Sequence, residues 1–282
     1  MTDREQFERV ERAVQGDRRA MEELLEEVQD MVFNLSLRML GTQPDAEDAL
    51  QDILMKVMTR LTTFRGESRF STWVYRIAVN HLINCKKSQF ADHPLSFEYY
   101  GADIRNGRCG EPPALGAEVD RSLMAEELKL SCTNVMLQCL DPESRCIYIL
   151  GTMFRLDSRL AGELLDLSPE NYRQKLSRAR GKMAAFLQEY CELGGGMCRC
   201  RERVDYAMAQ GRISPQRLCF TRLGRLPEPL LQACRDDMEE MDALSGVFAA
   251  FPHYHTSVEA RDFVEKLVRS RRMESIRGYG QN

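Results

Sequence analysis

Apolar residues recur at intervals of three and four along most of this 282-residue chain, and this spacing constrains the fold more than any other feature. One stripe runs from Met21 to Leu35, and a second runs from Ala46 to Leu61. Such spacing places side chains on one face of an α-helix. A half-buried strand would instead need alternation at every second residue, and the sequence has no sustained run of that kind. The sequence therefore predicts an all-α fold.

Breaks in the helical pattern divide the chain into four parts. Between Ser88 and Asp120, glycine and proline residues interrupt the sequence and no helical stripe survives, which predicts a flexible, mainly acidic linker. We expect a helical bundle over residues 1–90, the linker over 91–121 and a helix-turn-helix domain over 122–190. A helical C-terminal extension is expected over 191–282.

The composition excludes several classes of protein. The longest apolar run, Val247 to Phe251, is too short to span a bilayer, and the charged N-terminus does not resemble a signal peptide. We therefore expect a soluble, cytoplasmic protein without membrane insertion, whose 10 cysteines are mostly reduced. A net charge of −4 excludes an evenly basic DNA coat but permits segregated charges. The chain has no Walker-type loop and no HExxH motif, so we do not expect an enzyme.

Two short helices joined at Asp166-Leu167-Ser168 have the spacing of a helix-turn-helix. Tyr172, Leu176 and Ala179 fall on the inner face of the second helix. The outer face carries polar and basic side chains: Asn171, Arg173, Gln174, Lys175, Ser177 and Arg178. Such groups read base edges and hold phosphates in the major groove, although a solvated helix carries them too. The turn spacing and the Ser168-Pro169 start favour DNA binding.

The stretch from Arg60 to Lys87 combines basic and aromatic residues. Its basic residues are Arg60, Arg65, Arg69, Arg76, Lys86 and Lys87, interleaved with Phe64, Phe70, Trp73 and Tyr75. This pattern suits unpaired nucleic acid, because each base stacked on a ring gains about 1–3 kcal/mol. A lone tryptophan at helical spacing also fits a core position, so both interpretations stay open. The small, polar loop around Gly66 and Ser68 is a candidate pocket for an extruded base.

The preceding helix carries the opposite charge on its polar face. Glu47, Asp48, Gln51 and Asp52 lie near its N-terminal half. The helix dipole favours acids there, which is a purely local explanation. The alternative is a docking surface for a basic partner.

These three segments, in this order, resemble bacterial RNA polymerase sigma factors of the extracytoplasmic-function group. The run from Asp45 to Asp52 resembles the core-polymerase-binding helix of that family. The run from Phe64 to Asn80 resembles its promoter-melting segment, and the run from Ser168 to Arg180 resembles its upstream-element recognition helix. The resemblance covers about residues 5–190.

The resemblance implies roles for particular residues. Asp48, Gln51 and Asp52 would bind core RNA polymerase. A melted promoter strand would be held by Phe64, Arg65, Arg69, Phe70, Trp73, Tyr75, Arg76 and Asn80, with Asn80 and the Phe64–Phe70 loop capturing a flipped base. The outer face of the helix-turn-helix would contact duplex promoter DNA, and the acidic linker would thread a polymerase channel. A separate anti-sigma factor is left open as a further partner.

The chain departs from the family pattern in the helix-turn-helix. It has Ala161-Gly162 where the family usually has Ile-Ala, and Asp166 where the family has glycine. A glycine inside a helix costs roughly 1 kcal/mol relative to alanine. Asp166 is expected to adopt a left-handed conformation, which aspartate tolerates better than most residues.

The last ninety residues lie outside the family pattern. Their potential metal ligands are Cys191, Cys198, Cys200 and Cys219, with His253 and His255, but Cys-x-Cys is a weak signal for zinc or copper. We favour a structural helical appendage without a cofactor over a metal or redox sensor, and we assign Cys132, Cys139 and Cys146 to the core. Two other functions stay open: a helix-turn-helix regulator that binds only duplex DNA, and a metal-dependent enzyme formed by the extension.

Overall fold

The computed structural model describes residues 3–85, 95–107, 120–225, 248–249 and 251–269. Within these ranges the chain forms helices and turns, with isolated β-bridges but no strand. The all-α prediction is therefore confirmed. None of the helices in the described ranges combines the length and the apolar character needed to cross a membrane.

The first part of the chain contains four helices: α1 (Asp3–Val14), α2 (Arg18–Leu40), α3 (Gln43–Arg60) and α4 (Phe70–Ile83). Asp17 caps α2 by accepting a hydrogen bond from the Ala20 N–H, and Gly41 ends it in a left-handed conformation. The apolar faces of α2, α3 and α4 are buried against one another. The last of these helices ends at Ile83, and Lys86 and Lys87 of the basic stretch lie outside the described residues.

The predicted flexible linker contains a helix, α5 (Phe97–Asn106), so that prediction is wrong over these residues. Ser96 caps the helix, and the ring of Tyr100 stacks on Phe186 with 5.6 Å between centroids. Gly101 suggested a break, but its missing side chain admits the ring of Tyr190: a Cβ at this position would lie 2.5 Å from Tyr190 Cζ. The helix is short and contains glycine, which hid its apolar face in the sequence.

The helix-turn-helix part contains α6 (Arg121–Gln138), α7 (Pro142–Tyr148), α8 (Ser158–Leu164) and α9 (Pro169–Tyr190), and a π-helical turn over Ile149–Met153 follows α7. Asp141, Asp157 and Ser168 cap α7, α8 and α9 through their side-chain oxygens. The Ser168 cap lies where the sequence predicted a helix start. The extension adds α10 (Cys200–Ala209), which packs on α6, and α11 (Val258–Arg269), which packs on α2 and α3.

One continuous apolar core joins the first helices, the helix-turn-helix part and the extension. Asn34 of α2 fastens the extension: its amide donates to the Tyr254 carbonyl (2.7 Å), and its carbonyl accepts from the Tyr254 N–H (2.8 Å). On the same helix, the Asp30 carboxylate accepts hydrogen bonds from the Thr256 N–H (2.7 Å) and hydroxyl (2.6 Å). The extension therefore covers a face of α2 with both apolar and polar contacts.

Arg38 joins all three parts of the molecule. Its side chain is completely buried, and it donates to Asn134 Oδ1 (3.1 Å) in α6 and to the Pro252 carbonyl in the extension. The guanidinium also lies 5.6 Å from the centroid of the Tyr254 ring. Burial lowers the pKa of Arg38, since the charged form loses its hydration. These partners compensate a charge that would be costly to bury alone.

Candidate polymerase and nucleic-acid interfaces

The acidic face of α3 follows from how the helix starts. Thr42 caps it by accepting a hydrogen bond from the Asp45 N–H (3.3 Å), and Ala46, Ala49 and Leu50 point into the core. Opposite them, Asp48 is exposed and Gln51 and Asp52 are half-buried. The three side chains predicted to bind core polymerase thus share one polar side of a well-anchored helix.

The extension reaches the first turn of this helix. Arg222 donates a hydrogen bond to Gln43 Oε1 (3.2 Å), and Gln43 in turn donates to Glu47 Oε1 (2.9 Å). A cationic side chain of the extension therefore lies at the N-terminal end of the acidic face. This contact could not be predicted from the sequence, because Arg222 and Gln43 are far apart in the chain.

The rings predicted to hold a melted strand form a cluster below the loop between α3 and α4. Phe64 contacts Phe70 and Trp73, with centroid separations of 5.8 and 5.6 Å, and Phe70 stacks on Trp73 at 5.8 Å. Phe70 is completely buried and Phe64 is 9% exposed, whereas Trp73 is half-buried. The prediction that bases stack directly on Phe64 and Phe70 is therefore wrong, because both rings are buried. They support Trp73 and the loop from within the core.

The charged members of the predicted strand-binding set are at the surface. Arg65 and Arg69 are exposed on the loop, and Arg76 and Asn80 are exposed on α4. Trp73, Arg76 and Asn80 follow a spacing of three and four, so they share one face of α4 that extends about 10 Å along its axis. This face offers two kinds of donor beside a partly exposed indole.

Phe7 of α1 also belongs to this aromatic cluster, although it was not predicted: its ring centroid lies 6.5 Å from that of Phe64. Together with Val10, Leu61 and Phe64, it lines a cleft of about 310 Å³ beside the aromatic cluster. A single phenylalanine in a charged N-terminal helix carried no distinguishing signal in the sequence.

In this structure the face of α4 that was predicted to hold a melted strand lies against the helix-turn-helix part. Arg76 forms an ion pair with Glu163 of α8 (2.7 Å), and the Tyr75 ring contacts Phe154 at 6.3 Å between centroids. Both members of the ion pair are largely exposed, so the pair contributes little to stability. Arg76 is accordingly a side chain whose present partner is easily exchanged for another anion.

The turn of the helix-turn-helix explains its two departures from the family pattern. Asp166 has φ of 55°, which confirms the predicted left-handed conformation. Gly162 is buried, and a Cβ there would lie 2.8 Å from the Leu167 carbonyl oxygen. The Leu167 N–H also donates to the Gly162 carbonyl (2.9 Å). The turn therefore folds back so closely on α8 that only glycine fits without displacement.

Helix α9, which the sequence predicts to contact duplex DNA, presents the predicted polar face. Tyr172, Leu176 and Ala179 are buried, as the spacing predicted. Asn171, Arg173, Gln174, Ser177 and Arg178 are exposed, and Lys175 is half-buried. Two of these side chains also have local partners: Arg173 donates to Ser158 Oγ (3.0 Å), and Lys175 pairs with Glu143 (2.6 Å).

The potential metal ligands of the extension are not gathered at one site. Cys191, Cys198 and Cys200 line one cavity with Cys132 of α6, whereas the Cys219 N–H donates to Glu127 Oε1 (2.6 Å). Over the part of the chain that the structure describes, no group of three or more His, Cys, Asp or Glu side chains is arranged to hold a metal ion. Cys132 was assigned to the core, and its place at this cavity has no signal in the sequence.

The two histidines lie among other partners. His253 is buried against Phe154, with 5.1 Å between ring centroids, and burial together with the Arg38 charge lowers the pKa of His253 to about 4. His255 Nδ1 lies 2.9 Å from Asp30 Oδ2. His253 therefore packs the extension on the helix-turn-helix part, and His255 fastens it to α2.

Comparisons with known proteins agree with this geometry. Residues 24–89, which include most of α2 and all of α3 and α4, match the Sigma-70 region 2 family. The ECF RNA polymerase sigma-E factor of Haemophilus influenzae is 31% identical over 149 residues, covering 48% of this chain and 78% of that protein. The ECF RNA polymerase sigma factor SigW of Bacillus subtilis is 23% identical over 189 residues, covering 64% of this chain and 96% of SigW.

A solved structure, that of CnrH in complex with the cytosolic domain of CnrY, is also similar. It is 22% identical in sequence, with a TM-score of 0.45, and covers 64% of this chain and 95% of CnrH. The match to SigW thus leaves about a third of the present chain uncovered.

Proposed function

Because this chain belongs to the extracytoplasmic-function RNA polymerase sigma factors, we propose that it binds core RNA polymerase and directs promoter recognition and melting in transcription initiation. The observation that carries this proposal is the coincidence of the Sigma-70 region 2 match with segregated charges. Asp48 is exposed on α3, whereas Arg65 and Arg69 are exposed on the following loop. A regulator confined to duplex DNA has no use for this segment. Sigma factors are not enzymes, which leaves no role for a catalytic extension.

In this proposal each surface has one task. The acidic side of α3 (Asp48, Gln51 and Asp52) binds a basic surface of the polymerase. The outer face of α9 binds duplex promoter DNA through its polar and basic side chains. The α4 face, with Trp73, Arg76 and Asn80, holds the melted strand, and binding of unpaired bases offsets part of the cost of opening the duplex.

The contacts of the extension support a regulatory role for it. It fastens α2 to the helix-turn-helix part through Arg38 and Asn34, and Arg222 lies at the end of the acidic face. In the same structure Arg76 is paired with Glu163 instead of with a phosphate. The extension thereby stabilises an arrangement in which the two DNA-binding parts face each other.

Polymerase binding tests the proposal. Replacing Asp48 and Asp52 together with lysine is expected to weaken binding to core polymerase by at least about tenfold, because like charges would then face each other. Affinity is measured by titration of labelled protein with core enzyme, and circular dichroism checks that the fold is unchanged. The control is Glu202→Lys, the same type of charge change on the exposed side of α10. Unchanged affinity of the double variant would show that the acidic face is only a solvated surface.

A further inference from the structure

Four cysteines surround one apolar cavity between α6, α9 and the start of α10. The cavity has a volume of about 30 Å³, and Cys132, Cys191, Cys198 and Cys200 contribute to its lining. All four are free thiols, and Cys198 is buried while the other three are half-buried. A space of this size is sufficient for one water molecule. The cavity therefore brings the four cysteines around one small common space.

The backbone holds these cysteines in fixed positions. Cys191 and Cys198 pair across an isolated parallel β-bridge, and the Cys198 N–H donates to the Tyr190 carbonyl (2.8 Å). Cys200 begins α10, two residues further along. The chain thus returns on itself so that three of the thiols come from one short turn, and the fourth comes from the helix below it.

A buried arginine gives the cluster its charge. The Arg203 side chain is 4% exposed, and its Nη2 donates to Asp103 of α5 (3.2 Å). Its Nε is buried without a hydrogen-bond partner among the described residues. A cation beside a cysteine favours the thiolate form. The hydrogen bond from Cys200, together with the charge of Arg203, lowers the pKa of Cys198 to about 6.

The neighbouring thiols stay protonated. Donation to Cys198 and burial raise the pKa of Cys200, and burial raises the pKa of Cys132 to about 11. The cluster therefore combines one thiolate with an adjacent protonated thiol. This is the arrangement of a nucleophilic cysteine and a resolving cysteine.

We propose that Cys198 and Cys200 form a redox-modification site, in which hydrogen peroxide oxidises Cys198 and Cys200 then closes a disulfide with it. The Cys198 thiolate attacks one peroxide oxygen, the O–O bond breaks, and with one proton the products are a sulfenic acid and water. The Cys200 sulfur then attacks the sulfenic sulfur and expels the hydroxyl, which leaves as a second water with the Cys200 proton. The two sulfur atoms together lose two electrons, which the hydrogen peroxide accepts. This site goes beyond the proposed function, because promoter opening uses no thiol chemistry.

The first test uses the unaltered full-length protein, so it does not depend on a variant folding. Alkylation by iodoacetamide is followed at each cysteine by mass spectrometry at pH 7 and pH 5. The rate at Cys198 is expected to fall only about tenfold between these values, whereas Cys139, whose pKa burial raises to about 12, slows about 100-fold. An equal, 100-fold decrease at both cysteines would overturn the proposal.

The second test identifies the disulfide. After treatment with hydrogen peroxide and blocking of the remaining thiols, trypsin cleaves after Arg199 and Arg201. A Cys198–Cys200 disulfide then joins the peptide 183–199 to the dipeptide 200–201. A Cys191–Cys198 disulfide would instead remain within one peptide and would contradict the assignment of Cys200.

Variants complete this test. Cys200→Ser is expected to accumulate sulfenic acid at Cys198, captured by dimedone, whereas Cys198→Ser abolishes both products. Cys139→Ser is the control and should oxidise like the unaltered protein. Failure of peroxide to modify Cys198 in the unaltered protein would refute the site and leave the proposed sigma-factor function untouched, because no readout involves polymerase.

Discussion

Gly162 lies within α8, where alanine has the higher intrinsic helix propensity. From the sequence alone, Gly162 is expected to lower the stability of α8 in the helix-turn-helix. In the structure its missing side chain makes room for the Leu167 carbonyl oxygen, which would lie 2.8 Å from a Cβ. Propensity depends on a residue's own helix, whereas this constraint comes from the turn that follows.

Two glycine substitutions should therefore have opposite effects. Gly162→Ala is expected to lower the free energy of unfolding by about 1–3 kcal/mol, because the turn must move to admit the methyl group. Gly181→Ala in α9 is the matched control, since a Cβ there meets nothing within 4 Å. It should raise stability by about 0.5–1 kcal/mol. Urea unfolding measures both, and a stabilising effect of Gly162→Ala would contradict the close approach.

Prediction from sequence succeeded for residues whose roles are local. Ser168 was expected to start a helix and does so, and the left-handed conformation of Asp166 is confirmed. Arg155 also has a positive φ, of 56°, but nothing in its sequence neighbourhood indicated it. Its conformation is set by the path of the chain after the π-helical turn.

At the scale of elements, α9 combines an exposed polar side, which we propose to bind DNA, with a structural side. Arg178 is exposed on the polar face, whereas Arg180, two residues later, donates to Thr152 Oγ1 and to the Gly151 carbonyl, both at 3.2 Å. The sequence shows two arginines in a basic helix and does not separate them. Their difference arises from the π-helical turn that packs beside only one of them.

The two arginines should respond differently to replacement. Arg178→Ala is expected to weaken binding to duplex promoter DNA and to reduce the salt dependence by about one phosphate contact, with stability unchanged within about 0.5 kcal/mol. Arg180→Ala is expected to lower the unfolding free energy by about 1–3 kcal/mol, because two buried acceptors lose their donor. DNA titrations at several salt concentrations and urea unfolding measure these effects. Equal losses of stability in both variants would contradict the assignment of Arg178 to the polar side and Arg180 to the structural side of α9.

The helix α5 shows where prediction of elements fails. Its residues were interpreted as linker because glycines interrupt them, yet Asp103 within it accepts hydrogen bonds from Tyr206 (3.1 Å), Arg203 and Arg212 of the extension. These contacts also lower the pKa of Asp103, since the arginines favour the carboxylate against the cost of burial. A helix stabilised from outside in this way has no complete signature in its own ten residues.

At the scale of the whole molecule, the extension determines how the parts are joined. Asn34 and Tyr254 exchange two hydrogen bonds across 220 residues of sequence. Neither residue belongs to a motif, and no periodicity connects them. The fold class and the positions of the polar faces were therefore predictable, whereas the arrangement of those faces against the extension was not.

Loosening this junction should affect both stability and activity. Asn34→Ala is expected to lower the unfolding free energy by about 1–3 kcal/mol, because the Tyr254 backbone groups lose their partners. If the extension is regulatory, transcription by core polymerase in vitro also changes. Asn84→Ala is the control, because the exposed Asn84 amide bonds only the Asn80 carbonyl (2.9 Å), one turn away. A destabilised Asn34 variant with unaltered transcription would reduce the extension to a packing element.

The buried position of Arg38 has a consequence for the newly made protein. Its acceptor at Pro252 is synthesised 214 residues later, which at about 5–20 residues per second takes about 10–40 s. During that interval α2 and α3 have already emerged from the ribosome, while the guanidinium of Arg38 still faces water. Each copy therefore begins with an arginine in α2 that lacks this acceptor, and the junction forms only after Pro252 has been synthesised.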